Sequence, residues 1–189
     1  MEYFDVVDEN GSPTGKIMSR DTAHREGRLH RTAHVWVVRE YDGRVQVLLQ
    51  KRSPEKDSFP GLYDTSSAGH IPAGSEPLES ARRDLKEELG IDAAADQLAY
   101  AGCFRIRYEK EFHGKLFRDN EITSVYVYRE PVEIRELSLQ TSEVDEVRWF
   151  DLDEVRWEIQ YSRERFCVSS KGLAVLEKYL AGEWHRKVS

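Results

Sequence analysis

Short runs of β-branched and aromatic residues, broken by turn residues, make up most of this chain, and in two places the apolar spacing changes to intervals of three and four. Tyr3 to Val7 and Lys16 to Met18 flank Asn10-Gly11, whose turn chemistry predicts an N-terminal hairpin over about residues 1–20. Thr32 to Val38 and Val45 to Gln50, joined through Asp42-Gly43, predict a second and stronger hairpin. Further strands are expected at Leu62 to Ser67, Ala99 to Tyr108, Ile122 to Tyr128 and Glu146 to Phe150. Leu78, Ala81, Leu85 and Leu89 form one apolar helical stripe, with Ser75 or Glu76 at its start, Pro77 in the first turn and Gly90 as the stop. Leu173, Val175, Leu176, Tyr179 and Leu180 repeat the pattern and predict a C-terminal helix over about residues 170–182. Mixed strands with helices on either face predict an α/β fold, an α/β/α sandwich with a mixed central sheet. No linker or repeat divides the 189 residues, so one domain is expected over 1–189.

The first helix carries more than a buried stripe. Asp84, Glu87 and Glu88 lie three and four apart on the flank beside it, so their carboxylates converge within about one turn. Their mutual repulsion would be offset by a hard cation such as Mg²⁺ or Mn²⁺. The plain alternative is a solvated charged face, since 33% of the chain is charged.

Composition narrows the setting. A net charge of −7 argues against a general nucleic-acid binder, which needs basic stripes to neutralise phosphates. The N-terminus has neither a basic nor an apolar signal region, and no apolar run is long enough to span a membrane, so a cytoplasmic protein with no membrane contact is expected. Cys103 and Cys167 match no disulfide framework or zinc spacing and read as small buried thiols. Trp36, Phe59, Tyr63, Phe104, Trp149, Phe150 and Trp157 read as core residues. The N-terminal hairpin is a candidate for pairing two copies into a homodimer.

The segment 69–91 resembles the Nudix box, G-x5-E-x7-R-E-U-x-E-E-x-G-U with U a bulky aliphatic residue. Gly69, Arg83, Leu85, Glu87, Glu88, Gly90 and Ile91 fall in register. Ser75 stands where the family has a Glu that supports the loop, and Asp84 replaces the Glu after the Arg. The resemblance implies a Nudix-type sandwich and a hydrolase that cleaves a diphosphate linkage in a small X-diphosphate. It also implies Mg²⁺ or Mn²⁺ held by Asp84, Glu87, Glu88 and the Gly69 carbonyl, with Arg83 holding a helix carboxylate in place. Asp84 belongs to the catalytic set, and Glu88 and Glu121 are both candidates for the general base. Lys51, Arg52 and Lys56, between a strand and the glycine-rich turn, are candidates for gripping phosphate oxygens.

A wider set of residues is similar to the Nudix-fold isopentenyl diphosphate isomerases: Pro13-Thr-Gly-Lys, Ala23-His24, Arg28-Leu-His30, Lys51-Arg52, Phe59-Pro60-Gly61, Gly69-His70 and Asp119-Asn-Glu121. This resemblance implies a second divalent site, for Mn²⁺ or Zn²⁺, on His24, His30, His70, Asp119 and Glu121, with Asp119 in place of a Glu. His34 and His113 are expected to be ordinary core or surface histidines. Moving a double bond needs two proton-transfer groups. The family's cysteine position is Ala68 here, and its tyrosine falls on Ile106, with Tyr108 close by. Alanine cannot carry a proton, so hydrolysis is the favoured reading, with isomerase activity and a non-catalytic nucleotide-sensing module as the alternatives.

Overall fold

The computed structural model describes residues 2–188, with side chains described through residue 182. Strands β1 (Tyr3–Val7) and β2 (Pro13–Ser19) pair antiparallel as a separate N-terminal hairpin. Helix α1 (Arg20–Glu26) follows directly, an element the apolar pattern does not predict. Its signals are short: Ser19 Oγ accepts from the Thr22 amide, and Gly27 closes the helix with φ 65°.

The main sheet has seven strands. Strands β3 (His30–Tyr41) and β4 (Arg44–Arg52) form the expected hairpin across Asp42-Gly43. The expected strand from Leu62 to Ser67 is instead two pieces, β5 (Tyr63–Asp64) and β6 (Ser67–His70). Ser66 divides them because its hydroxyl is inserted between strands: it accepts from the Val37 amide at 2.7 Å and donates to Leu48 O. Helix α2 (Pro77–Leu89) starts after Glu76 and ends at Gly90, whose φ of 76° few other residues tolerate. Strands β7 (Leu98–Phe112) and β8 (Lys115–Tyr128) are longer than expected and form one antiparallel ribbon. Strand β9 (Val144–Asp151) covers the outer edge of β4. Helices α3 (Leu152–Tyr161), also outside the predicted elements, and α4 (Ser170–Val188) complete the chain.

Strand β3 is central. It runs parallel to β8 on one side, and on the other it pairs antiparallel with β6 and then β4. Its pleat sends Ala33, Val35 and Val37 to one face, where they are buried with Ala81, Leu85 and Leu89 of α2. Trp36 and Val38 face the other way and pack with Val155 and Ile159 of α3 and Leu173 and Leu176 of α4. Helices therefore cover both faces of a mixed sheet, the α/β/α arrangement expected from the pattern.

Several smaller expectations change. Cys103 is exposed, because it lies on the edge strand of the sheet, and Cys167 is only half-buried. Trp157 is exposed on the outer face of α3, where it packs on Tyr161. Trp149 is half-buried under the Arg39 guanidinium, 4.1 Å from its ring centre, whereas Trp36, Phe104 and Phe150 are core. No described helix is long and apolar enough to cross a membrane.

Candidate active site

The acidic helix faces a cleft of about 860 Å³ between α2, β6, the β7–β8 ribbon and the segment after β4. Asp84 and Glu88 are buried along its wall, while Glu87 stands exposed at the rim. Gly69 is needed for this approach: a Cβ there would overlap Asp84 Oδ2. That oxygen is buried with no hydrogen-bond partner, while Asp84 Oδ1 accepts from Arg83 at 2.7 and 3.0 Å. Burial pushes the Asp84 carboxyl up to about 6, against the pull of Arg83. Glu88 is pushed up to about 8, by burial and then by the charge of Asp84. Gln50 Nε2 donates to Glu88 Oε2 at 2.8 Å and fixes one of its two oxygens. Two adjacent buried acids and an unpartnered oxygen are what a divalent cation would satisfy, so these residues fit one.

A second cluster lies beside the first and is assembled by strand register. Parallel pairing sets His30 of β3 next to Glu121 of β8, and antiparallel pairing sets Thr32 next to His70 of β6. Helix α1 adds His24. Ligand atoms of His24, His30, His70 and Glu121 all lie within 4.8 Å of one another. His70 Nε2 and His24 Nε2 are 3.3 Å apart, and both His30 Nε2 and His70 Nε2 are 3.6 Å from Glu121 Oε1. Asp119 Oδ1 is 4.0 Å from the Nε2 atoms of His24 and His30. Arg28 O accepts from His30 Nδ1 at 2.8 Å, so His30 Nε2 turns its lone pair inward, buried and unpartnered, as is Asp119 Oδ1.

The protonation states suit ligation. Burial, then the neighbouring His30, holds His24 down at about 4, and burial holds His70 well below its ordinary value. Burial alone would raise Glu121, but His30 and His70 hold it far below the usual carboxylate range. Asp119 moves the opposite way, driven up by burial and the Glu121 charge. The imidazoles of His24, His30 and His70 with the ionised Glu121 carboxylate form a mixed nitrogen and oxygen shell that fits Mn²⁺ or Zn²⁺. Phe4 of β1 stacks on His30 and His70 with ring centres 5.0 and 4.6 Å away, and Phe117 stacks on His24 at 4.3 Å.

Not every expected residue reaches the cleft. Lys51 points to the β9 side, 3.1 Å from Asp145, because its neighbour in the pleat, Gln50, takes the inward position. Arg52 lines the cleft but its guanidinium is already bound to Asp64, Ser58 O and Ser58 Oγ. Lys56 lines it too, paired with Glu143. Ala68 is in the cleft wall and offers only a methyl group. Tyr108, rather than Ile106, pairs in register with Asp119 and lies close enough to feel its charge. His34 is half-buried in the cleft floor, 3.5 Å from Thr65 Oγ1, and His113 is exposed at the tip of the ribbon, where it meets Lys56 O at 3.2 Å.

Sequence reasoning missed Gln50 and Thr32. Thr32 Oγ1 donates to Glu121 Oε2 at 3.2 Å and shares a 2.8 Å hydrogen bond with Thr123. Gln50 had a signal: it is a polar residue in phase with the buried Leu48 of the same strand.

Residues 28–167 match the family described as NUDIX domain. The chain is 40% identical over 157 residues to Nudix hydrolase 3 of Arabidopsis thaliana, across 82% of this chain but 20% of that protein. It is 38% identical over 154 residues to an uncharacterized Nudix hydrolase of Clostridium acetobutylicum, across 82% of this chain and 72% of the relative. An isopentenyl-diphosphate Delta-isomerase of Pectobacterium atrosepticum is 30% identical over 161 residues, across 85% of this chain and 83% of the relative. Among solved structures, DR0079 from Deinococcus radiodurans aligns with a TM-score of 0.67 at 20% identity, over 94% of this chain and 99% of that one. A C. elegans Ap4A hydrolase binary complex aligns with a TM-score of 0.55 at 21% identity, over 80% and 98%.

Proposed function

Because this chain belongs to the Nudix family, we propose that it is a metal-dependent hydrolase that opens a diphosphate linkage in a small, nucleotide-like X-diphosphate. The observation that carries this reading is the buried Asp84–Glu88 pair facing the cleft across Gly69, with Asp84 Oδ2 left unpartnered. Asp84, Glu87, Glu88 and the Gly69 carbonyl would hold a Mg²⁺ or Mn²⁺ ion, which would neutralise phosphate charge, keep the neighbouring carboxylates ionised and lower the pKa of the attacking water.

The residues of the chain do the rest. Glu88 is the proposed general base: Gln50 fixes one of its oxygens and leaves the other for a water. Glu121 is less available, since Thr32 engages Oε2 and the histidines face Oε1. Water attacks one phosphorus and gives its proton to Glu88, the bridging P–O bond breaks, and the leaving phosphate oxygen departs with the bond pair. Asp84, and Glu87 at the rim, complete the acidic set with the Gly69 carbonyl, and Arg83 holds Asp84 in place. Arg52 and Lys56 line the same cleft and would meet phosphate oxygens by exchanging their present partners, Asp64 with Ser58 and Glu143. The histidine set with Glu121 and Asp119 would hold a second divalent ion, Mn²⁺ or Zn²⁺. A cleft of about 860 Å³ with Phe59, Tyr108 and Phe117 on its walls supports a nucleotide-sized substrate, as do the Ap4A hydrolase neighbours. The setting proposed is the cytoplasm, in keeping with two unpaired cysteines.

A phosphate-release screen over nucleotide sugars, nucleoside polyphosphates and dinucleotides, with Mg²⁺ or Mn²⁺, tests this reading. Activity should vanish in Glu88→Gln, and silence across the whole panel would refute it. The complete histidine cluster and the Tyr108–Asp119 pair favour a second reading, isomerisation of isopentenyl diphosphate, which Ala68 opposes. Interconversion of isopentenyl and dimethylallyl diphosphate by the same preparation would establish it.

A further inference from the structure

The turn that leads into α2 is held from outside the matched family segment. The match begins at residue 28, yet Ala73 and Gly74 hang on β1. Asp5 is buried, and its Oδ2 accepts from the Gly74 amide at 3.0 Å and from an Arg31 nitrogen at 2.9 Å. The same nitrogen of Arg31 donates to Ser75 O at 3.1 Å, and the Ala73 amide donates to Tyr3 O at 2.8 Å. A carboxylate between a guanidinium and a backbone amide makes charge-assisted bonds, stronger than neutral ones.

Position 75 is where this chain has a serine in place of an acid. Arg31 Nε, on the same guanidinium, is buried and without a partner, so a donor stands free beside that turn. The carboxylate that meets Arg31 therefore arrives from β1 and not from the loop itself.

We infer that Asp5 supplies the carboxylate that position 75 lacks, and that with Arg31 it positions the 73–75 turn so that Gly69 and Asp84 keep their cation-binding approach. Asp5 is a positioning residue, since it does not line the cleft. The inference rests on the reading of Asp84 and Glu88 as a divalent site. Asparagine at position 5 keeps an acceptor for Gly74 but leaves Arg31 buried without its counter-charge.

The test is a Mn²⁺ titration followed by electron paramagnetic resonance, run beside thermal melts on the full chain. Wild type, Glu88→Gln, Asp5→Asn, Ser75→Glu and the double variant Asp5→Asn/Ser75→Glu are compared for the Mn²⁺ sites that Glu88→Gln removes. Asp5→Asn should weaken those sites by about 10-fold or more, the usual cost of losing a supporting group. Ser75→Glu alone should change little, and the double variant should return to within about threefold of wild type. Wild-type Mn²⁺ affinity in a folded Asp5→Asn protein, or no recovery in the double variant, overturns the inference. If Asp5→Asn does not fold, the double variant decides: recovery of fold and Mn²⁺ binding together supports the exchange of acids, and failure to recover either refutes it. If wild type and Glu88→Gln titrate alike, the divalent-site reading itself fails and takes this inference with it.

Discussion

Glu88→Gln separates the electrostatics of the cleft from its packing. In the metal-free protein the Glu88 carboxyl sits at about 8, against an ordinary value of 4.5, because burial and the Asp84 charge disfavour its ionised form. A carboxyl raised on folding keeps its proton in the folded state while the unfolded chain loses it. Stability therefore falls as pH rises from the unfolded value, and levels off above the folded value. Between about pH 5.5 and pH 7.5 the loss from Glu88 is about 2.5 kcal/mol. In a chain of this size that is about 5–10 °C of melting temperature. Glutamine has the same shape and cannot titrate. Melts in EDTA should therefore show wild type losing about that much more than Glu88→Gln over the interval. Added Mn²⁺ should stabilise wild type more at the higher pH, since ligands must be deprotonated to bind. Parallel pH profiles for the two proteins in EDTA would refute the reasoning.

Gly69→Ala should weaken Mn²⁺ binding about 10-fold without unfolding the protein, because the new Cβ displaces Asp84; a titration of the folded variant checks this. Gln50→Leu removes the donor to Glu88 and should lower kcat with little change in KM, as steady-state kinetics would show. The double variant His24→Ala/His30→Ala should lose bound transition metal by elemental analysis while the box cation is retained. Leu85→Ala, at a fully buried site between α2 and β3, should cost about 2–5 kcal/mol in denaturant unfolding.

The sequence disclosed the elements whose signals repeat. The hairpin across Asp42-Gly43, the stripe of α2 and the C-terminal helix carry several periods each, so position and type could both be read. Helix α1 spans Arg20–Glu26, too short for a periodic stripe to declare itself, and it carries His24. Strand register was hidden as well. Nothing local in the sequence says that β3 lies parallel to β8, and that pairing is what sets His30 beside Glu121. Lys51 was a question of phase: as neighbours on a strand, only one of Gln50 and Lys51 can face the acidic helix, and the amide does. The support from Asp5 was out of reach because its partners, Gly74 and Arg31, are brought to it only by tertiary folding.

The parallel pairing of β3 with β8 also has a kinetic meaning. Thr32 and Glu121 are 89 positions apart, and no tight turn can join two parallel strands. Closing so long a loop is slow relative to hairpin formation, so the histidine cluster should be among the last features to assemble during refolding. If the cluster takes up a transition metal, that metal becomes a stopwatch: its uptake would mark the arrival of the native sheet, and early compact states should be unable to capture it.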